Sequence, residues 1–507
     1  MFPFCFPLGT TLLRSSVWKP GGPSIQRRTL VILTFFLSVT AFATNARPSD
    51  PVLGKWIGEI ADPQDRITIG FEFTADGKGA VVPHLYEPVL NLFGTPLTLQ
   101  RAGNVYTIPE AGLELTLDGD SLSGTFSSLR YRIDLHRTSV LPHDPPVPDL
   151  LKGPAPLWST RLGGNVYGAV TVADGVAYIG TTAGVLNAVN VTDGSFAWTF
   201  NAGRPIHGQA LVFGDSVYFV CDNGYLFKLD RSNGKELWRY DLGDGLVERI
   251  LPHQAGEGWD FIAPRPAIAD GVIYAGSGDG SMHALDAGSG KRIWRFASKG
   301  KIRSDALVDG DRLYFGSLDG SVYALDRKHG AELWHYDTKA PVTSSPAMVD
   351  GKVIVGNRGF GIAALNAADG SVAWRALYWG SWVESSAVAW GKVFYIGASD
   401  LRRVTCYDPA DGSVVWRTDV FGWNWGRPAV TEKMIYVGVA GGSPYMIRHV
   451  PSLTALDRKT GAIVWRWVPP ASESYQAGFA AGPAIGGTSL VIASIDGTLY
   501  SFPLSAT

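Results

Sequence analysis

The stretches GVIYAGSGDGSMHALDAGSGKRIWRF (271–296) and DRLYFGSLDGSVYALDRKHGAELWHY (311–336) are two copies of one unit. Each has an apolar strand, a Gly-rich turn, a second strand ending Ala-Leu-Asp, a turn ending in Gly, and a third strand carrying a Trp. The periodic tryptophans are Trp158, Trp198, Trp238, Trp294, Trp334, Trp374, Trp416 and Trp465, with gaps of 40, 40, 56, 40, 40, 42 and 49 residues. A period near 40–45 built from short strands marks a β-propeller with four strands per blade. Period-2 alternation in Val-Tyr-Ala-Leu-Asp segments argues against a helical repeat.

The turns carry their own chemistry. The second hairpin turn reads Asp-Asn-Gly at 222–224, Gly-Asp-Gly at 278–280, Leu-Asp-Gly at 318–320 and Ile-Asp-Gly at 495–497. The third reads Thr-Asp-Gly at 192–194, Ser-Asn-Gly at 232–234 and Ala-Asp-Gly at 368–370 and 410–412. Glycine at the last position supplies the positive φ that tight hairpins need. These aspartates read as turn formers, because no loop has the spaced acidic pattern of a calcium loop.

Seven full units end in a Trp, from Trp198 to Trp465. An eighth begins at Gly482-Pro483-Ala484 and runs through Leu490–Ala493 and Thr498–Phe502, one strand short. Pro156-Leu157-Trp158-Ser159-Thr160-Arg161 looks like that missing strand. The expected fold is all-β: an eight-bladed propeller over 157–507, sealed by pairing the segment near Trp158 with the one near Tyr500. Closure removes open sheet edges. Cys221 and Cys406 then fall in opposite blades, beyond the ~7 Å Cα reach of a disulfide.

Residues 50–138 do not follow the repeat. Gly54-Lys55-Trp56-Ile57-Gly58 opens a strand, and alternating segments at 67–73, 104–108, 113–117 and 131–135 follow, with Asp-Gly turns at 76–77 and 118–119. They predict a small antiparallel β barrel or sandwich. Residues 139–156 form a Pro-rich, semi-rigid linker. At the other end, Arg27-Arg28 precede an apolar run from Leu30 to Ala43, which ends in an A-x-A site at Ala41–Ala43. That pattern predicts a secretory signal within 1–46 and a periplasmic or secreted product, soluble after cleavage. The run is short for a bilayer span, which needs ~20 residues.

Composition narrows the partners. The 507 residues carry 44 basic and 46 acidic side chains, a net charge of −2. A polyanion binder needs a basic surface, so nucleic acid is excluded as the general partner. Three cysteines cannot build a disulfide scaffold or a four-cysteine zinc site.

The pattern Gly-x-x-Tyr-Ala-Leu-Asp-x-x-(Thr/Ser)-Gly-x-x-x-Trp resembles the pyrroloquinoline-quinone (PQQ) repeat family. Leu285-Asp286-Ala287-Gly288-Ser289-Gly290 with Trp294, and Leu456-Asp457-Arg458-Lys459-Thr460-Gly461 with Trp465, carry the resemblance, which spans about 160–505. It implies tryptophans docked between neighbouring blades. One branch of that family contains calcium- and PQQ-dependent alcohol and sugar dehydrogenases; another contains non-catalytic propellers such as the BamB-like scaffold of outer-membrane assembly. The vicinal Cys-Cys pair of the quinoprotein alcohol dehydrogenases is absent here, and the resemblance places no calcium ligand on a particular residue.

The loops entering the innermost strands should surround one mouth of the channel. In order they offer Asn165-Val166-Tyr167; Arg204 and His207; Trp259 and Asp260; Arg303 and Asp305; Thr343-Ser344-Ser345; Trp379, Trp382 and Glu384; Trp423, Trp425 and Arg427; and Tyr475 with Phe479. None of these tryptophans is one of the periodic set. Exposed aromatics beside arginine and carboxylates have the makeup of a binding surface. Three readings stand. The aromatics bind a peptide or protein; they hold a planar cofactor or sugar by stacking, with Arg303 or Arg427 pairing a carboxylate and Asp260, Asp305 or Glu384 as base or metal ligand; or they plug the channel. The functional expectation is an exported binding or scaffold protein associated with the cell envelope. The alternatives are a PQQ-dependent dehydrogenase of alcohols or sugars, with PQQ and calcium as cofactors, and a carbohydrate-binding or carbohydrate-active protein.

Overall fold

The computed structural model describes residues 50–61, 66–88, 92–126, 132–143, 152–245, 248–251, 259–359, 361–378, 380–442, 448–471 and 476–504. The expected signal lies outside them, as do Trp379 and Tyr475. No described helix is long and apolar enough to cross a membrane. The chain divides into two compact units, Met1–Pro145 and Pro146–Thr507.

The first unit is one antiparallel sheet of nine strands. Its two edge strands, Leu92–Pro96 and Gln100–Ala102, are neighbours in sequence, so the sheet must curl back toward its own start. This is a single curled sheet rather than a two-sheet sandwich. Strict alternation puts Leu113, Leu115 and Leu117 inside and the residues between them outside. Trp56 is buried at the centre and donates from Nε1 to the Val52 carbonyl at 2.7 Å.

The second unit is a ring of eight blades among the described residues. Blades 1 to 7 cover 171–201, 211–241, 267–297, 307–337, 347–377, 388–419 and 429–467. Blade 8 takes three strands from 484–503 and its outermost strand, Trp158–Arg161, from the other end of the unit. The register is Trp158↔Ser501, Ser159↔Tyr500, Thr160↔Leu499 and Arg161↔Thr498, all antiparallel. Cys221 lies in blade 2 and Cys406 in blade 6, both free and buried.

Successive blades are joined by a repeated contact. From Trp158 to Trp416, each periodic Trp lays its ring on the turn glycine of the next blade and donates from Nε1 to a carbonyl of the same turn. Trp158 reaches the Val191 carbonyl at 2.8 Å, Trp198 that of Arg231 at 2.8 Å, Trp294 that of Arg327 at 3.0 Å and Trp374 that of Pro409 at 2.8 Å. A Cβ added at Gly194, Gly330 or Gly412 would sit 2.6–2.7 Å from the facing Trp ring. The turn glycine thus serves twice: its φ is positive, and its bare Cα lets the indole seat flat. Trp465 meets blade 8, whose outer strand arrives from elsewhere and brings no such turn. There Gly153 stands in, 2.7 Å by the same measure, and its N–H bonds the Arg466 carbonyl at 2.9 Å. The end of the Pro-rich stretch is therefore part of the ring.

The outer strand of each blade is an edge, bridged by a neighbouring segment in blade 7, where Lys152 pairs with Arg466. In blades 1 to 7 it carries a β-bulge at the residue before the Trp, as between Ala284 and Leu285, which face Trp294 and Arg292 and leave Ile293 unpaired. Leu237, Ile293, Leu333 and Val415 occupy this position and are about half exposed. A bulge twists an edge and interrupts its ladder, which discourages pairing with a second sheet.

Gly330 and Gly351 have nearly equal φ, +70° and +68°, but only Gly330 faces an indole; nothing lies within 4 Å of a Cβ at Gly351. Gly351→Ala should cost about 1 kcal/mol of backbone strain. Gly330→Ala should cost that plus about 1–3 kcal/mol for displacing Trp294. Urea denaturation of the two variants measures the difference; equal losses would refute the double role of the turn glycine.

Candidate functional site

The channel mouth is assembled from two loop sets at one end of the ring. One is the loop entering each innermost strand. The other is the turn between the second and third strands. They are tied by backbone bonds at equivalent places, Asp222 N–H to the Pro205 carbonyl, Leu318 to Lys301 and Arg358 to Pro341. The second residue of that turn is therefore carried to the channel whatever its type.

The aromatics fill the mouth rather than lining an open surface. Trp259 contacts Phe261, Trp382, Trp423 and Trp425 with ring centroids 5.3–6.2 Å apart. Trp423 and Trp425 stack at 4.7 Å. Trp259, Trp423 and Trp425 are 7%, 1% and 5% exposed, and Tyr167 and Ile495 pack on the same cluster. The expectation of exposed aromatics fails for a physical reason: several loops each bring an indole to one axis, and mutual burial removes far more apolar surface from water than separate exposure would. The polar tips of two are bonded inward, Trp423 Nε1 to Asp400 at 2.9 Å and Trp425 Nε1 to the Ser399 hydroxyl at 3.1 Å, while Trp259 Nε1 is buried without a partner.

Most of the charged groups are paired within the site. Asp260 accepts from Arg303 Nε and Nη2 at 2.6 and 2.8 Å and from Lys301 at 2.8 Å, with Arg249 3.5 Å away. Burial alone would raise its pKa, but these cations win and hold the carboxyl well below the usual range. Asp222 accepts from His207 Nδ1 at 2.7 Å and from Arg249 at 2.7 and 2.9 Å. Glu384 accepts both Arg358 bonds on one oxygen, at 2.6 and 3.0 Å. Arg358 also reaches the Trp259 carbonyl at 2.8 Å and lies 4.6 Å over the Trp382 ring, so it binds the carboxylate to the aromatic cluster. Asp305 accepts the Arg265 backbone N–H at 2.8 Å and has Arg427 at 3.5 Å. Arg204 stands apart, exposed at the rim.

Thus the structure brings together His207, Trp259, Asp260, Arg303, Asp305, Trp382, Glu384, Trp423, Trp425 and Arg427 of the sequence-predicted set. It adds Asp222, Arg249, Lys301, Arg358 and Arg265. Alignment of the repeats would have found Asp222 and Arg358, since both occupy the second turn position, where Thr182, Leu318 and Ile495 show that the turn itself demands no charge.

The fit of calcium-bound PQQ can be judged from these donors. Calcium takes 6–8 oxygen ligands. Among the described residues no group of three or more His, Cys, Asp or Glu side chains converges on one point. Asp260, Asp222 and Glu384 are each engaged by guanidinium groups, and the indoles stack on one another. These residues do not fit that metal and cofactor pair.

Below the aromatic layer the channel continues. A cavity of about 110 Å³ is lined by His207, Thr343, Glu384, Trp425, Asp305 and Arg427 among others. A wider one of about 530 Å³ follows, walled by Leu211, Ala267, Leu307, Ala347, Met348 and Val388, and sharing Asp305 and Arg427 with the first.

An eight-bladed propeller with tryptophan docking and a plugged channel defines a repeat-propeller class, and the sequence comparisons name the family. The profile of the family described as outer membrane protein assembly factor BamB matches 153–249, 228–381 and 361–502, and the chain belongs to that family. Outer membrane protein assembly factor BamB of Yersinia pestis is 30% identical over 166 residues, which are 31% of this chain and 39% of that protein. The 1-butanol dehydrogenase (quinone) of Thauera butanivorans is 37% identical over 158 residues, 27% of this chain and 25% of that enzyme. The chain thus spans well under half the length of either relative. The crystal structure of BamB from Moraxella catarrhalis superposes with a TM-score of 0.54 at 18% identity, covering 70% of this chain and 98% of that one, which is a likeness of fold.

Two buried histidines set a pH response. Burial holds His207 below the ordinary value despite Asp222, and holds His283 at about 4. Both are neutral when folded and take up a proton when unfolded below pH ~6.5. Their contribution is therefore intact above that pH and is lost as pH falls below it, for His283 down to about 4, each by up to about 1.4 kcal/mol per unit. Urea midpoints measured from pH 7.5 to 4.5 should fall steadily, and His283→Gln should flatten the fall; a constant midpoint would contradict this.

Proposed function

We propose that this protein is a non-catalytic binding or scaffold propeller of the bacterial cell envelope, with protein as its partner. The observation that carries the reading is the state of the three carboxylates best placed for catalysis. Asp260 is held in a buried, bidentate arginine pair, Glu384 gives one oxygen to Arg358 and keeps only Oε2 unpaired, and Asp305 accepts a backbone N–H beside Arg427. A general base must have an accessible lone pair at its operating pH. Asp260, held far down the scale by three cations, is a poor one. Removing one member of such a pair leaves a buried charge and costs about 3–5 kcal/mol, so these groups act as ties between blades. Membership of the BamB family supports the same reading, as does the export pattern at 1–46.

The dehydrogenase branch is the competing reading, favoured by the likeness to the Thauera enzyme. A dye-linked oxidation assay with PQQ, calcium and a panel of primary alcohols and aldoses separates the two. The expected result is no PQQ-dependent dye reduction, together with recovery of a defined protein partner after cross-linking in intact cells. Turnover that requires PQQ would overturn the proposal.

A further inference from the structure

The 110 Å³ throat has polar atoms the protein leaves unmatched. His207 Nδ1 bonds Asp222 Oδ2, which fixes the proton there and leaves Nε2 as an acceptor. That Nε2 has no partner, nor has Glu384 Oε2, nor Thr343 Oγ1, and all three residues are at most 5% exposed. All three line the same cavity. Leaving one buried polar atom unpaired costs about 1–3 kcal/mol, so three around one void point to an occupant. Every one of them can accept, and two can only accept.

At the junction with the wider cavity the deficit is reversed. Arg265 Nε is buried without an acceptor. Arg265 and Arg427 lie close enough for their charges to oppose one another, and Asp305 sits beside both, bonded to the Arg265 backbone N–H and 3.5 Å from the Arg427 guanidinium. This end offers donors and a surplus positive charge. Beyond it the wall adds apolar side chains, Leu211, Leu307 and Met348 among them.

We propose that the channel throat is a binding site for a small apolar α-amino acid. Its ammonium meets Glu384, His207 and Thr343, its carboxylate meets Arg427 and Arg265, and its side chain lies against Leu211, Leu307 and Met348. An ammonium brings three N–H donors to three unmatched acceptors. A carboxylate brings acceptors to the guanidinium groups. A simple anion would leave the acceptors unpaired, and a simple amine would leave the arginines unpaired. The site is distinct from the protein-binding reading and can hold or fail without it.

Isothermal titration of the full exported chain with L-leucine tests this, beside two truncated probes: 4-methylpentanoate, which lacks the ammonium, and 3-methylbutylamine, which lacks the carboxylate. Leucine should bind saturably at one site, and each truncated probe at least about tenfold more weakly. Glu384→Gln should weaken leucine by about tenfold or more. Because that change also loosens Arg358, Thr343→Val serves as the gentler variant. It should weaken leucine severalfold without lowering the melting temperature in the absence of ligand. No heat and no thermal shift with about 10 mM leucine, methionine or phenylalanine would overturn the site and leave water as its occupant. So would equal affinity for all three probes, or unchanged binding by Thr343→Val.

Discussion

The ring depends on one strand exchange. Blade 8 has three strands from 484–503 and cannot complete itself; Trp158–Arg161 must come from the far end of the unit and pair with Thr498–Pro503. Every blade leans on its neighbours through a Trp on a glycine, so an unclosed ring would leave the Trp158 and Trp465 contacts unmade and two sheet edges bare. The contact is sequence-distant, which delays its formation until the blades between are ordered. It also locks the assembly, since opening the ring requires breaking the ladder and lifting an indole at once.

Closure positions the channel. Loops from opposite blades approach one axis, and what they carry is compressed there. Indoles from the loops before blades 3, 6 and 7 meet in one cluster, and arginines from separate blades cross to carboxylates on others. Arg249 joins Asp222 of blade 2 to Asp260 before blade 3, and Arg358 of blade 5 reaches the backbone of Trp259. The site is a set of inter-blade ties with one void beneath it. The unmatched atoms facing that void are the part of the arrangement that stability does not explain.

The fold was legible because its signals are local and repeated. A turn that ends in Gly and a Trp at a fixed distance are the two halves of one contact, and each copy of the unit states both. Blade number followed from the incomplete last unit. The exception at Trp465, where Gly153 replaces the turn glycine, lay hidden because it depends on chain crossing rather than on the repeat. The site was only partly legible. The entry loops were identified, and most of their candidates do converge. Their exposure was not readable, because burial of an indole depends on what the other loops bring. Asp222 was read as turn chemistry, and its turn does form; the same side chain also holds His207 and Arg249. Arg249 sits in an insertion with no counterpart in other repeats, so spacing could not reveal it.

Native-state hydrogen exchange read by mass spectrometry tests the closure most directly. The ladder-bonded amides of 158–161 and those of 498–502 should exchange together, as slowly as the central strands of blades 3 and 4, and only through global unfolding. Rapid exchange of 158–161 while 498–502 stays protected would show a ring that is not sealed by that strand, and would contradict the account.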